Sequence, residues 1–278
     1  MMEVQKIDIE RFILNGGGAN GESYTSREDP TLMLKLYFPG RERQALNELQ
    51  RSHMVFDAGI PVPEPGQYVV TQDGRYGILF RRIPDKVSIA RAVGDNPERA
   101  AEYAARFADM CKQLHATKVD TSAFYNVKDH YLEILKESNL FTQEQKKKIE
   151  DFIREAPESD TAIHGDLQFG NVIISGDESY FIDLGDFCYG HPYFDLGMVL
   201  LTCKLGKEEY TKDVFHMDAE TSGRFWEAFA AEYFGKDVPL EEIEAEILPY
   251  SALKTIIIER DCGFPKPEFR EILEKTIL

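Results

Sequence analysis

The segment His164-Gly165-Asp166-Leu167-Gln168-Phe169-Gly170-Asn171 sets a carboxylate five residues ahead of a carboxamide, and an apolar strand sequence follows at once. A turn signal at Ser175-Gly176-Asp177 leads into a second short apolar run, 180–182, that ends in Asp183-Leu184-Gly185. This layout gathers three oxygen-bearing side chains at two adjacent loop and strand ends. Transfer of a γ-phosphoryl group needs charge neutralisation and in-line positioning more than covalent help. Asp166 can accept or orient the proton of an attacking hydroxyl. The Asn171 amide and the Asp183 carboxylate are hard oxygen donors that suit Mg2+, which would bridge phosphate oxygens and offset their charge. Any one of these residues also suits a tight turn, but a turn does not account for their joint spacing.

Gly16, Gly18 and Gly21 match G-x-G-x-x-G within GGGANG. A dinucleotide-binding fold would need a helix directly after them. The following residues, ESYTSREDPTLMLKLY, read instead as strand, turn and strand, which predicts a flap closing over phosphates. Lys35 interrupts the apolar run LMLKLY. An inward ammonium there needs a partner, because an unpaired buried charge is costly. Glu48 on the next helix is the candidate, with Glu42 as a rival. A Lys–Glu pair would hold the ammonium where it meets nucleotide phosphates. The alternative is a solvated lysine on an edge strand.

The elements that must position these residues are also legible. Up to about residue 83 the chain reads as short strands and turns, with one helix whose residues Leu46, Leu49, His53 and Phe56 fall near one face. Gly59 and the prolines of IPVPEP end it. After Ile83-Pro84 the character becomes helical. Asp95-Asn96-Pro97 reads as a helix start, and Thr142 with Gln145 as a capping box. The division expected is a strand-rich lobe over residues 1–83, with a connector near 80–84, and a mainly helical lobe over 84–278. Ligands often bind between such lobes.

Composition narrows the partners. Of 278 residues, 43% are hydrophobic and 29% charged, and the net charge is −17. So acidic a chain predicts neither nucleic acid nor an anionic membrane surface as partner, and it can attract a cationic small molecule. No apolar run approaches a membrane span, and the N-terminal residues MMEVQKIDIERF lack the apolar core of a signal peptide. Cys111, Cys188, Cys203 and Cys262 form no CxxC pair and read as reduced thiols of a cytoplasmic protein. No obligate protein partner is implied.

HGDLQFGN and IDLGD, with the glycine loop, strand lysine, helix glutamate, IPVPEP and KQLHA, resemble the aminoglycoside phosphotransferase and choline kinase-like family over most of the chain. The resemblance implies an α+β, bilobal protein-kinase-like fold, with ATP (or GTP) as co-substrate and Mg2+. It implies Asp166 as catalytic base, Asn171 and Asp183 as metal ligands, Lys35 at the α/β-phosphates, and the connector residues Phe80, Arg81, Arg82 and Ile83 at the base. Asp195 resembles the family's later aspartate that braces the catalytic loop.

Two departures separate the chain from regulated protein kinases. Gly165 stands where those enzymes carry arginine, and only eleven residues lie between Asp183 and Asp195. Both point to a small-molecule hydroxyl as acceptor: an aminoglycoside-like or other amino-containing compound, choline, ethanolamine, homoserine or a sugar. Two rivals remain open, a nucleotide-binding regulator without turnover and a metal hydrolase built from His164, Asp166, Asp183, Asp186, His191 and Asp195. His164 reads as a brace for the loop, Asp186 as a turn cap or ligand, and Trp226 with Phe225 and Phe229 as core instead of a cation cage.

Overall fold

The computed structural model describes residues 4–18, 20–206 and 208–278. The chain forms two compact units: one takes the chain up to Val87 together with Val172–Asp186, the other takes Ser88–Asn171 and Phe187–Leu278. The boundary expected at 83/84 thus falls at 87/88, and a segment from the middle of the chain belongs to the strand-rich unit. The physical reason is backbone pairing: the Phe181 N–H donates to the Pro61 carbonyl at 2.8 Å, and the Ser175 hydroxyl to that of Pro84 at 2.7 Å.

The first unit is built on a six-stranded sheet of β1 (Gln5–Ile7), β2 (Phe12–Gly17), β3 (Gly21–Ser26), β4 (Leu32–Tyr37), β5 (Pro65–Thr71) and β6 (Tyr76–Arg81), in the order β1-β5-β6-β4-β3-β2. The β1–β5 pair is parallel and the other neighbours are antiparallel. Strand alternation decides what β4 presents to each side. Leu34 and Leu36, both fully buried, pack with Tyr24 and Val69. Burying such a side chain contributes about 1.5–3 kcal/mol. Tyr37, two residues beyond Lys35, joins Ala45 and Leu49 of helix α1 (Glu42–Asp57).

The buried face of α1 is Ala45, Glu48, Leu49, Ser52 and Val55. Of the face expected from Leu46, Leu49, His53 and Phe56, Leu49 is buried and Leu46 packs half-buried against the same cluster, whereas Phe56 is exposed and His53 lies at the surface beside the Gly66 carbonyl. Apolarity alone misplaces this stripe because its most buried side includes a glutamate and a serine, which periodicity counts as polar. A two-residue strand at the junction, β7 (Val87–Ser88), leads into the second unit.

The second unit holds α2 (Ile89–Asp95), α3 (Ala100–Ala116), α4 (Val127–Glu137), α5 (Gln143–Glu155) and the short strand β8 (Ala162–Ile163). The strands β9 (Val172–Ser175) and β10 (Glu178–Phe181) then return to the first unit as an antiparallel pair. The second unit resumes with β11 (Cys188–Tyr189), α6 (Tyr193–Leu200), α7 (Glu208–Phe215), α8 (Ala219–Phe234), α9 (Leu240–Cys262) and α10 (Pro267–Thr276). Asp95 closes α2 instead of opening a helix, and the Asn96 amide bonds back to the Ala92 carbonyl at 3.1 Å. Helix α3 is entered through the 3-10 turn Pro97–Arg99. The capping box at Thr142 and Gln145 is present.

Phe107 of α3 meets Phe225 and Phe229 of α8, and Trp226 is buried with its indole N–H on Glu244, so this aromatic group is core. Cys111, Cys188 and Cys203 are buried free thiols; the Cys262 side chain lies outside the described residues. No helix among the described residues is long and apolar enough to cross a membrane.

Candidate active site

In the first unit, β2 and β3 form an antiparallel hairpin with a register shift between Leu14 and Gly16, and the Gly18 N–H donates to the Gly21 carbonyl at 2.8 Å. No helix follows the glycines, so the strand-loop-strand alternative holds; Ala19 lies outside the described residues. None of these glycines has positive φ. Gly21 is required by close approach, since a Cβ there would sit 2.2 Å from the Leu36 carbonyl oxygen. At Gly16 and Gly18 a Cβ would meet nothing within 4 Å. The fold itself therefore does not require glycine at those two positions, and their bare backbone suits a ligand that approaches closely.

Beneath this hairpin lies a cavity of about 320 Å³, within the ~300–1,000 Å³ of small-molecule sites. Gly16, Gly18 and Gly21 line it, as do Lys35, Glu48, Phe80, Arg81, Ile83 and Asp183. Arg82 is not among the lining residues; its guanidinium lies 3.4 Å from the Pro30 carbonyl. Apolar walls that sequence alone did not single out come from Met33, Pro63 and Ile173.

At the cavity wall, Lys35 Nζ donates to both Glu48 oxygens at 2.7 Å and to Asp183 Oδ1 at 2.8 Å. Glu42 is not its partner. Burial alone would pull the lysine down, but Glu48 and Asp183 together push it up to about 12. A second, unforeseen residue holds Glu48: the Tyr37 hydroxyl donates to Glu48 Oε2. Burial, with the Glu48 charge, pushes that phenol well above its ordinary value. Asp183 sits at φ 64°, a left-handed backbone that aspartate tolerates better than most residues and that concentrates at functional sites. Two carboxylates against one ammonium leave this cluster net negative. Such a carboxylate fits a hard divalent cation like magnesium.

In the second unit the segment 164–171 is held from several sides. Asp195 accepts from the backbone N–H of His164 at 2.6 Å and of Gly165 at 2.8 Å, and lies 3.2 Å from His115 Nε2. Burial would raise the Asp195 carboxyl, but His115, His164 and Lys254 outweigh it and hold it below its usual value. His164 is fully buried, and its Nδ1 accepts from the Asp166 N–H at 3.3 Å, the bracing role expected of it. Gly165 has φ +83°, a conformation that resists any side chain. Asn171 Nδ2 donates to the Asp166 carbonyl at 2.9 Å and to Asp166 Oδ2 at 3.1 Å. With the amide nitrogen so used, the remaining polar atom of the Asn171 side chain is the acceptor oxygen Oδ1. Asp186, itself exposed, ends the 3-10 turn Leu184–Asp186, whose first residue is buried. Among the described residues no group of three or more His, Cys, Asp or Glu side chains is placed to hold a metal.

The family model described as "Phosphotransferase enzyme family" (APH) matches residues 13–234. The chain belongs to this phosphotransferase family. Solved structures share its protein-kinase-like fold at low identity. A thermostable mutant of aminoglycoside phosphotransferase APH(4)-Ia is 11% identical with a TM-score of 0.63, covering 96% of this chain and 97% of that one. The amicoumacin kinase hAmiN, in complex with AMP-PNP, Ca2+ and Ami, is 16% identical with a TM-score of 0.57, covering 98% and 88%. A choline/ethanolamine kinase family protein from Mesorhizobium loti is 16% identical with a TM-score of 0.53, covering 95% and 85%. Among curated proteins no sequence match was found.

Proposed function

We propose that this phosphotransferase moves the γ-phosphoryl group of ATP (or GTP) to a hydroxyl of a small, amino-containing molecule. The observation that carries the reading is the glycine-roofed cavity whose wall holds Lys35 between Glu48 and Asp183. In this reading the backbone at Gly16, Gly18 and Gly21 and the Lys35 ammonium bind phosphates, and Glu48 keeps Lys35 in place. Phe80, Arg81 and Ile83 contact the base; Arg82 serves the connector from outside the cavity lining. Asp166 orients the acceptor hydroxyl and takes its proton. Asn171 and Asp183 are the magnesium ligands, and the metal when bound would offset charge on the phosphate oxygens.

The solved relatives' ligands, AMP-PNP with Ca2+ in one and streptomycin with ATP in another, support a nucleotide and an amino-containing acceptor. The net charge of −17 favours a cationic acceptor on approach. A triphosphate co-substrate and reduced thiols suit a cytoplasmic location. The test is a panel of aminoglycosides, choline, ethanolamine, homoserine and sugars with ATP or GTP, magnesium and coupled detection of the nucleoside diphosphate. Release that depends on one amino-containing acceptor is the expected result. A thermal shift with nucleotide but no release with any acceptor would leave a regulator without turnover.

A further inference from the structure

Lys254 sits on α9, far in sequence from every motif described above, and it is 4% exposed. Its Nζ donates to the Gly165 carbonyl at 2.7 Å and lies 5.8 Å from the centroid of the Tyr131 ring on α4. No carboxylate forms an ion pair with it among the described residues. Burying an ammonium is costly even with a carbonyl acceptor and the Tyr131, Asp195 and Asp166 groups about it, and an apolar residue of similar size often stabilises such a position as well or better. Folding alone therefore gives a poor reason for a lysine there.

Placement supplies a better one. At Gly197 on α6, an added Cβ would sit 2.6 Å from the Tyr250 carbonyl carbon of α9, and the Ser251 hydroxyl donates to the Gly197 carbonyl at 2.8 Å. The two helices are thus locked backbone to backbone. From that lock, α6 sends Asp195 to the N–H groups of His164 and Gly165, while α9, one turn beyond Ser251, sends Lys254 to the Gly165 carbonyl. The peptide units immediately before Asp166 are gripped at both their donors and their acceptor. The charged and titratable groups about Lys254 are Tyr131, Asp195 and Asp166; burial alone would neutralise the lysine, and these groups raise it, so it stands as an ammonium.

We propose that Lys254 is a positioning residue for the phosphoryl-transfer step, fixing the Gly165 carbonyl so that Asp166 keeps its aim. Gly165 has no side chain of its own to anchor this turn, and α9 delivers the anchoring cation instead. The inference rests on the proposed transfer reaction and on Asp166 as its base.

The test compares wild type, Lys254→Met, Lys254→Gln and Lys254→Arg in the full chain, with magnesium ATP and the best acceptor from the panel. In Lys254→Met, kcat is expected to fall about 10–10²-fold, the loss that small misplacements of a reacting group cause. The KM for nucleotide stays unchanged, because the nucleotide cavity is lined by the first unit. Lys254→Arg recovers part of the rate. Hydrogen exchange at the amides of residues 164–166 is expected to quicken in Lys254→Met. Should that variant fail to fold, Lys254→Gln serves for the same comparisons. An unchanged kcat, or a loss of kcat with an equal rise in KM and no recovery by arginine, overturns the positioning role. If wild type transfers phosphate to no acceptor, the reaction reading falls. The hydrogen-exchange comparison then decides the loop anchor, and unchanged protection overturns it.

Discussion

At the scale of single residues, the site divides into groups whose chemistry is visible in their type and groups visible only in their contacts. Asp166, Asn171, Asp183 and Lys35 belong to the first kind, because their types and spacing are those the proposed phosphoryl transfer calls for. Asp166→Ala is expected to lower turnover about 10²–10⁴-fold with nucleotide affinity retained, as a titration by calorimetry would show. Tyr37 and Lys254 belong to the second kind. A tyrosine in a buried strand and a lysine in a long helix are ordinary in sequence, and only the approach of Glu48 and of Gly165 gives them meaning. Tyr37→Phe removes one hydrogen bond to a charged group and is expected to cost about 1.5–3 kcal/mol in urea unfolding. Asp195 carries a pH signature. Its carboxyl lies lower in the folded chain than when unfolded, so its contribution is present above the ordinary carboxylate value and lost as pH falls through the depressed one. Asp195→Asn should therefore flatten the decline of unfolding free energy as pH falls below about 5.

At the scale of elements, glycine contacts decide how closely backbones meet. Gly197→Ala would press a methyl onto the α9 backbone at Tyr250 and Ser251. Neither neighbour is a flexible side-chain end, so a loss of about 1–3 kcal/mol is expected from overpacking, read by thermal unfolding. The strand sequence of β4 and the capping box of α5 were legible, since alternation and caps are local properties of the chain. The exposed faces of α1 were not. Its buried stripe includes Glu48 and Ser52, which serve the cavity wall, and hydrophobic periodicity counts them as polar. Asp95-Asn96 misled for a related reason: a good capping pair was used to close one helix and start a 3-10 turn. Local signals fix that a boundary exists, while tertiary contacts fix which element owns it.

At the scale of the whole molecule, the family match covers residues 13–234 and leaves all of α9 and α10 beyond it. The residues proposed to handle phosphate lie inside the match; the helix that bears Lys254 lies outside it. Acceptor identity was not legible because net charge and fold constrain a substrate only weakly. Magnesium ATP at about 100 times its Kd is expected to add about 2.7 kcal/mol to the stability of the nucleotide-binding form, measurable as a rise in Tm. The allegiance of Val172–Asp186 to the first unit bears on the birth of the protein. On the ribosome, the sheet strands emerge early, yet the hairpin that brings Asp183 to Lys35 emerges only after the whole of α2 to α5. Until then the nascent chain carries Lys35 with Glu48 alone. Vectorial synthesis, which completes most domains from the N-terminal end, cannot close this one early. A ribosome-stalled chain ending before residue 172 should remain open to protease in the sheet that the released protein shields.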